Sequence, residues 1–330
     1  MKRLWPLAFA LFVALAVCAL AVAAAGQSPL VAARALIEGA VGSRERWAES
    51  LAKTIPLLFT GLGVLVAFRA GFFNIGAEGQ FLIGALAASA VATRTDASWP
   101  LVLVAGAIAG SLWALIAGVL KTHRSAPEII TTIMLNYIAL SVVQFAVSGP
   151  LQERARTQPQ TDVFPPRAQL PSLIENTNCH IGLLFAVACA FACWWYLFRT
   201  ESGFTMRAVG LNPLAARAMK VQSSTRTLQA VAMAGALSGL AGAAEIAGAT
   251  RQMGMGGFGY GYTAIAVALL AGLNPLWAIP SALLFGMLSA GGGAMERSAD
   301  VPAVTSYIVV GVLVFFAAVA SRLKVKNSEE

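Results

Sequence analysis

Gly254-Met255-Gly256-Gly257-Phe258-Gly259 runs into an apolar stretch, 262–273, that stops at Asn274-Pro275. A helix there has about eleven residues and is roughly 16 Å long at 1.5 Å per residue. The hydrocarbon of a bilayer is about 30 Å thick, so such a helix crosses only if irregular backbone continues it. Irregular backbone is tolerated at that depth only where protein or a water-filled cavity meets its N–H and C=O groups. A glycine-rich break of this kind therefore points to a path through the membrane, with close helix packing as the plainer alternative.

A second stretch matches it. Phe72-Phe73-Asn74-Ile75-Gly76-Ala77-Glu78-Gly79 leads into the short run 79–93, then Trp99-Pro100 and a longer run, just as Asn274-Pro275 opens a longer run in the second half. Working outward gives ten apolar runs: 7–25, 51–68, 79–93, 100–120, 128–148, 181–198, 228–249, 262–273, 276–293 and 304–321. Helices are expected, since unbroken apolar runs satisfy their own backbone whereas barrel strands alternate. Ten crossings divide into two sets of five, and an odd number per set makes the repeat inverted, so that the two short helices point in opposite directions.

The composition agrees. Of 330 residues 58% are apolar and 12% charged, against roughly 25% charged in an ordinary globular chain, and the mean hydropathy is +0.73. No polar stretch is long enough for a separate soluble domain, which excludes secreted enzymes, nucleic-acid binders and coiled coils. The net charge of +8 reads as positive loops facing the cytoplasm rather than as a nucleic-acid footprint. Lys2 and Arg3 set the N-terminus inside, and alternation then places Arg69, Lys121, Arg124, Arg199, Arg207, Arg217, Lys220, Arg226, Arg322, Lys324 and Lys326 on the same side. Most of the remaining basic residues fall in two outer loops, 26–50 and 149–180, where charge constrains topology less. Ala23-Ala24-Ala25-Gly26 also fits a signal-peptidase site, which would remove one crossing.

Four scattered cysteines and two histidines assemble neither a metal site nor a catalytic set, so no catalytic residue, metal or cofactor is expected. The polar groups inside the apolar runs are the candidates for function. Glu245 lies among small residues, where a charge costs about 2.5–3.5 kcal/mol on insertion scales and must face a partner. Glu78, with Asn74 and Gln80 beside it, serves either as helix capping or as a lining of the path. Asn136, Tyr137 and Gln144 serve either as interhelical glue or as substrate contacts. Glu128 follows Pro127 at a helix start, where a carboxylate suits the helix dipole. No phosphate-binding loop of the Gly-Lys-Ser/Thr kind occurs, so the chain carries no ATPase of that type. The cytoplasmic segment 199–227 reads as a turn and a short basic helix capped near Asn212-Pro213, either a docking element or a solvated connector.

Four motifs then carry a resemblance: 71–80 (Gly71 to Gln80), 126–137 (Ala126 to Tyr137), 207–217 (Arg207 to Arg217) and 264–275 (Ala264 to Pro275). In order and spacing they resemble the permease subunits of bacterial ATP-binding-cassette importers, the branched-chain amino acid and simple-sugar permease superfamily, and within it the nucleoside permeases, over about residues 50–320. The resemblance implies an all-α membrane protein of about ten transmembrane helices in two inverted five-helix halves with discontinuous pore-lining helices, forming a single transmembrane permease domain over 1–330. It implies that 203–221 is the segment that grips a cytoplasmic ATP-binding subunit, with Arg207, Gly210, Asn212, Pro213 and Arg217 in the matching motif. It also implies a second permease subunit, and a periplasmic or lipid-anchored binding protein that meets loop 149–180. Members often carry a small residue and then glycine where this chain has Met219-Lys220. The setting implied is the bacterial inner membrane with both termini cytoplasmic, and the cargo a nucleoside. A simple sugar such as ribose or galactose, or a branched-chain amino acid, is the alternative cargo, and an ion-coupled secondary transporter using Glu78 and Glu245 the rival mechanism.

Overall fold

The computed structural model describes residues 5–302 together with Thr305, Ile308, Gly311 and Val312. The helices are α1 (Trp5–Ala24), α2 (Pro29–Val41), α3 (Arg44–Arg69), α4 (Ala77–Arg94), α5 (Trp99–Arg124), α6 (Glu128–Val147), α7 (Gly182–Arg199), α8 (Glu201–Leu211), α9 (Pro213–Ala218), α10 (Ser223–Glu245), α11 (Tyr260–Leu270) and α12 (Pro275–Ser298). A π-helical turn, Ile246–Thr250, extends α10. No strand occurs among the described residues; two isolated bridges, Gln160 with Gly254 and Ser172 with His180, are the nearest approach.

Six of the described helices are long and apolar enough to cross a membrane: α3, α5, α6, α7, α10 with its π turn, and α12. Ala16–Ala24 and Pro29–Val41 make a seventh span if the pair, bent by 110°, counts as one. The expected ten therefore reduce to six or seven that pass on length and composition. α4 covers the run 79–93 but carries Glu78 and Gln80 in its first turn, and α11 has only 11 residues. The tenth run, 304–321, falls almost wholly outside the described residues, as do both charged termini. The stretch 26–50, expected as a loop, contains α2 and the start of α3; Pro29 opens α2 at its first turn and Arg34 pairs with Glu38 one turn on, at 2.6 Å.

Two compact units emerge among the described residues, one made of the chain up to Thr54 together with the chain from Leu283 on, the other of Ile55–Ala282, with boundaries inside α3 and α12. In the first unit, Cys18, Val22, Ala32, Ala35 and Met295 form an apolar cluster, and Gly39 lets α2 close on Ala294.

The second unit is built on α10, and its closeness is set by glycine. A Cβ on Gly239 would stand 2.2 Å from the Gly106 carbonyl oxygen, one on Gly235 2.4 Å from that of Gly110, and one on Gly84 2.3 Å from the Gly239 Cα. The GxxxG pairs of α5 and α10 are thus packing devices that bring backbones together. The outer side of α5 has the opposite character. Leu101, Val104, Ile108, Leu112 and Ile116 form an exposed apolar stripe along α5, at the spacing that puts residues on one helix face.

Candidate functional site

The two glycine-rich stretches meet at Glu78. Its Oε1 accepts hydrogen bonds from the backbone N–H groups of Phe258 (3.0 Å) and Gly259 (2.7 Å), and its Oε2 from that of Gly261 (2.7 Å). Glu78 stands in the first turn of α4, yet its carboxylate caps the first turn of α11, whose N-cap, Gly259, has a φ of +74° and no side chain to offer. Three N–H groups and the positive end of α11 offset a buried negative charge. The approach is backbone to backbone, since a Cβ on Gly261 would lie 2.1 Å from the Glu78 nitrogen.

The neighbouring amides complete the joint. Asn74 and Gln80 exchange side-chain hydrogen bonds at 3.0 and 2.9 Å, and Asn74 also accepts from the Gly76 N–H. Asn136 reaches over from α6, accepting from the Gly79 N–H at 2.8 Å and donating to the Ile75 carbonyl at 2.9 Å. All four residues are buried. In the structure each polar group of Asn74, Glu78, Gln80 and Asn136 faces another protein group.

Glu245, the last residue of α10, is buried and accepts from the Tyr260 hydroxyl at 3.4 Å. Tyr260 also belongs to an aromatic trio with Phe81 and Phe258, with ring centroids 5.2–6.2 Å apart. Phe258 is half-buried, beside the exposed Met255, Gly256 and Gly257. An aromatic face, a buried carboxylate and exposed glycine backbone are thereby gathered at one point. Phe258 and Tyr260 escaped the sequence reading, although two aromatics flanking Gly259 inside a glycine-rich break were the available signal. Gln144 is half-buried further along α6. Tyr137 stands apart, exposed in a shallow apolar groove with Ile138, Ser141, Val142 and Phe145.

Within the segment 199–227, two helices rather than one precede the start of α10. Thr200 caps α8 by accepting from the Gly203 N–H, and Asn212 breaks the chain and caps α9, its Oδ1 accepting from the Leu214 and Ala215 N–H groups at 3.1 Å. Arg207 donates to the Leu197 carbonyl and lies 4.7 Å above the Phe198 ring, with Arg69 at 5.5 Å from the same ring. Gly210 sits against backbone: a Cβ there would be 2.1 Å from the Arg69 carbonyl oxygen. Arg207 and Gly210 therefore fasten α8 to the body of the unit. Pro213 and Arg217 are exposed on α9 instead, with Leu211, Leu214 and Met219 exposed by 71–87% around them. A cleft of about 410 Å³ adjoins them, lined by Lys121, Thr122, Ser125, Arg217 and Ser223. Lys121 is held there by Glu128 at 2.6 Å, which is the service that Glu128 performs.

Lys220 explains the departure at Met219-Lys220. It adopts φ of +61°, the left-handed conformation that favours glycine, and the Val221 N–H returns to the Ala216 carbonyl to close α9.

Loop 149–180 lies along the end of α10. Its Thr161 N–H donates to the Met253 carbonyl at 2.9 Å while the Met253 N–H donates to the Thr161 hydroxyl at 3.0 Å. Phe164 and Leu170 donate their N–H groups to the carbonyls of Arg251 and Ala247, both at 2.9 Å. His180 is buried against Gly248, and burial pushes its imidazole down to about 4, so it is neutral at ordinary pH.

Residues 47–318 match the family model described as branched-chain amino acid transport system / permease component. The chain is 33% identical to the guanosine ABC transporter permease protein of Bacillus subtilis over 94% of its own length and 91% of that protein's. It is 34% identical to the glucose ABC transporter permease protein of Haloferax volcanii, over 92% of this chain and 84% of that one. It is 31% identical to the nucleoside ABC transporter permease protein NupB of Lactococcus lactis, over 89% and 85%. No solved structure matches. With most of its length matched by that model and by relatives of its own size, this multi-pass chain belongs to the family of branched-chain amino acid transport system permease components, a transport family rather than a family of enzymes.

Proposed function

We propose that this chain is a permease subunit of an ATP-binding-cassette importer and that its cargo is a nucleoside. The observation that carries the cargo is the pair of relatives named for guanosine and for nucleosides, each aligned over nearly nine-tenths or more of this chain. The aromatic trio beside the glycine-rich break is compatible with it, because a nucleobase stacks on an aromatic face and a ribose offers hydroxyls to a carboxylate. The relative named for glucose supports a second reading, a sugar cargo.

In this proposal the whole chain acts as one permease domain of about ten crossings in two inverted halves, with both termini in the cytoplasm of a bacterial cell and the two glycine-rich breaks meeting midway. Glu78, Asn74, Gln80 and Asn136 shape the path by holding its backbone, while Glu245 and Gln144 lie nearer to passing cargo. ATP hydrolysis resides on a separate subunit that grips 203–221, with Pro213 and Arg217 at the contact and Arg207, Gly210 and Asn212 setting its posture. A second permease subunit completes the pore, and a periplasmic or lipid-anchored binding protein docks on loop 149–180.

The test is uptake of radiolabelled adenosine, guanosine, uridine, ribose and glucose into vesicles that hold this chain with its paired permease, ATPase and binding protein. ATP-dependent nucleoside uptake is the expected result. ATP-dependent sugar uptake alone replaces the cargo, and uptake that follows an ion gradient without ATP overturns the mechanism.

A further inference from the structure

The segment 251–259 is a strap held at both ends and free between them. One end belongs to loop 149–180: besides the paired Thr161–Met253 hydrogen bonds, Gln252 donates its side-chain amide to the Gln160 side-chain oxygen at 3.1 Å, and Gln160 bridges Gly254. The other end is the Glu78 carboxylate, which takes the N–H groups of Phe258 and Gly259. Between the two anchors, an added Cβ at Gly256 would meet nothing within 4 Å. Packing therefore does not demand glycine there, and what glycine supplies is backbone freedom. Arg251 (φ +58°) and Gly259 (φ +74°) put a left-handed residue at either limit of the strap.

The loop side is built to move the strap. Thr161, Met253 and Phe164 are buried, while Val163, two residues along the same extended chain, is 63% exposed. A force on the exposed face of the loop reaches Met253 through two hydrogen bonds to Thr161, one from its backbone and one to its side-chain hydroxyl. The strap then carries it to the Glu78 carboxylate, and so to the first turns of α4 and α11 and to the aromatic trio.

We infer that Thr161 is a positioning residue for transport: it clamps the outer loop to the strap, so that docking of a binding protein on the loop shifts the strap and its hold on Glu78. The inference rests on the importer reading above and names its regulation. The loop and the anchored end of the strap, 251–254, move as one body, and the yielding point is the glycine stretch 256–259 next to Glu78. Thr161 touches no docked partner, because its side chain is turned inward.

The experiment uses the complete transporter in vesicles and measures ATP hydrolysis with and without loaded binding protein. Thr161→Ala should leave basal hydrolysis unchanged and lower the maximal stimulation by about fivefold, within the range for residues that carry coupling between sites. The binding-protein concentration that gives half stimulation should stay the same, and Thr161→Ser, which keeps the hydroxyl, should restore stimulation. Unchanged stimulation in Thr161→Ala overturns the inference, as does a shift in half-stimulating concentration alone, which would make Thr161 part of a docking surface. If Thr161→Ala fails to assemble, a disulfide decides. Gln160→Cys with Gly254→Cys, in a chain whose native cysteines are replaced, joins loop to strap at bridge distance. Oxidised vesicles should transport within about twofold of reduced ones, a change too small to mark a coupled element. Loss of uptake on oxidation that returns on reduction would mean that loop and strap must part, which overturns the inference. A wild-type complex whose hydrolysis no binding protein stimulates would instead sink the importer reading itself.

Discussion

The joint at Glu78 and the helix at Pro213–Ala218 are both short, polar interruptions of an apolar chain, and they are finished in opposite ways. At Glu78 every polar group is turned inward and paired: one carboxylate takes three N–H groups, and Asn74, Gln80 and Asn136 satisfy one another and the backbone between them. At α9 only Asn212 is spent on the helix itself, and Arg217, Leu214 and Met219 face outward. The contrast follows from surroundings. Within an apolar bundle an unpaired N–H costs several kcal/mol, so the chain must supply its own partners. A helix beyond the bundle has water as a partner and is free to leave side chains for another subunit.

The largest effect is expected where pairing is densest. Glu78→Ala strands the N–H groups of Phe258, Gly259 and Gly261 together, and should lower stability by about 3–5 kcal/mol with near-complete loss of uptake. Thermal unfolding in detergent and vesicle uptake would measure the two losses. Glu78→Gln keeps an acceptor but turns an amide NH₂ toward N–H donors, so it should fall between the wild type and Ala. A stable Glu78→Ala protein with ordinary uptake would make the joint no different from a surface cap.

Next comes Gly210→Ala, which tests whether the α8–α9 region really divides into a fixed half and a free half. The added Cβ would sit 2.1 Å from the Arg69 carbonyl oxygen, so α8 must shift away. A loss of about 1–3 kcal/mol is expected, as for overpacking elsewhere. It should appear in the permease alone, without any ATPase present, by thermal unfolding.

These two sites also mark what was legible in the residues. The broken helix was readable at 254–275 because length is a one-dimensional quantity: eleven residues of α11 cannot span hydrocarbon whatever they pack against. The importance of Glu78 was readable for the same reason, as a charge in an apolar run. Its partners were not, because they lie about 180 residues away and are backbone N–H groups, identical in every residue. Thr161 was invisible, being one threonine in a polar loop whose meaning comes from Met253. α2 is a different case. Pro29 at the first turn and the Arg34–Glu38 pair are ordinary helix signals, masked by the expectation that a charged stretch between two apolar runs is a loop.

A smaller effect, of opposite sign, belongs to Lys220. At φ of +61° a side chain costs about 1 kcal/mol or more relative to glycine, and part of that is returned because glycine is freer in the unfolded chain. Lys220→Gly should therefore stabilise the permease by about 0.5 kcal/mol, read as a small upward shift of the unfolding midpoint. A destabilised Lys220→Gly would mean that the lysine stem packs on α9 more than its exposure suggests.

The least effect on the isolated chain is expected at Arg217, and there the contrast becomes sharpest. Its side chain is exposed on the rim of the 410 Å³ cleft, so Arg217→Ala should change the stability of the permease by less than about 0.5 kcal/mol, as surface substitutions away from special features do. In the complete transporter the same change should lower ATP hydrolysis coupled to uptake severalfold, because a rim charge acts on association with a partner. Arg207→Ala should show the reverse, since Arg207 is engaged with the Leu197 carbonyl and the Phe198 ring: weaker folding first, and weaker coupling only in proportion. If both arginines behave alike in both assays, then fixed and free are not properties of separate residues, and α8 and α9 respond to the ATPase as one body.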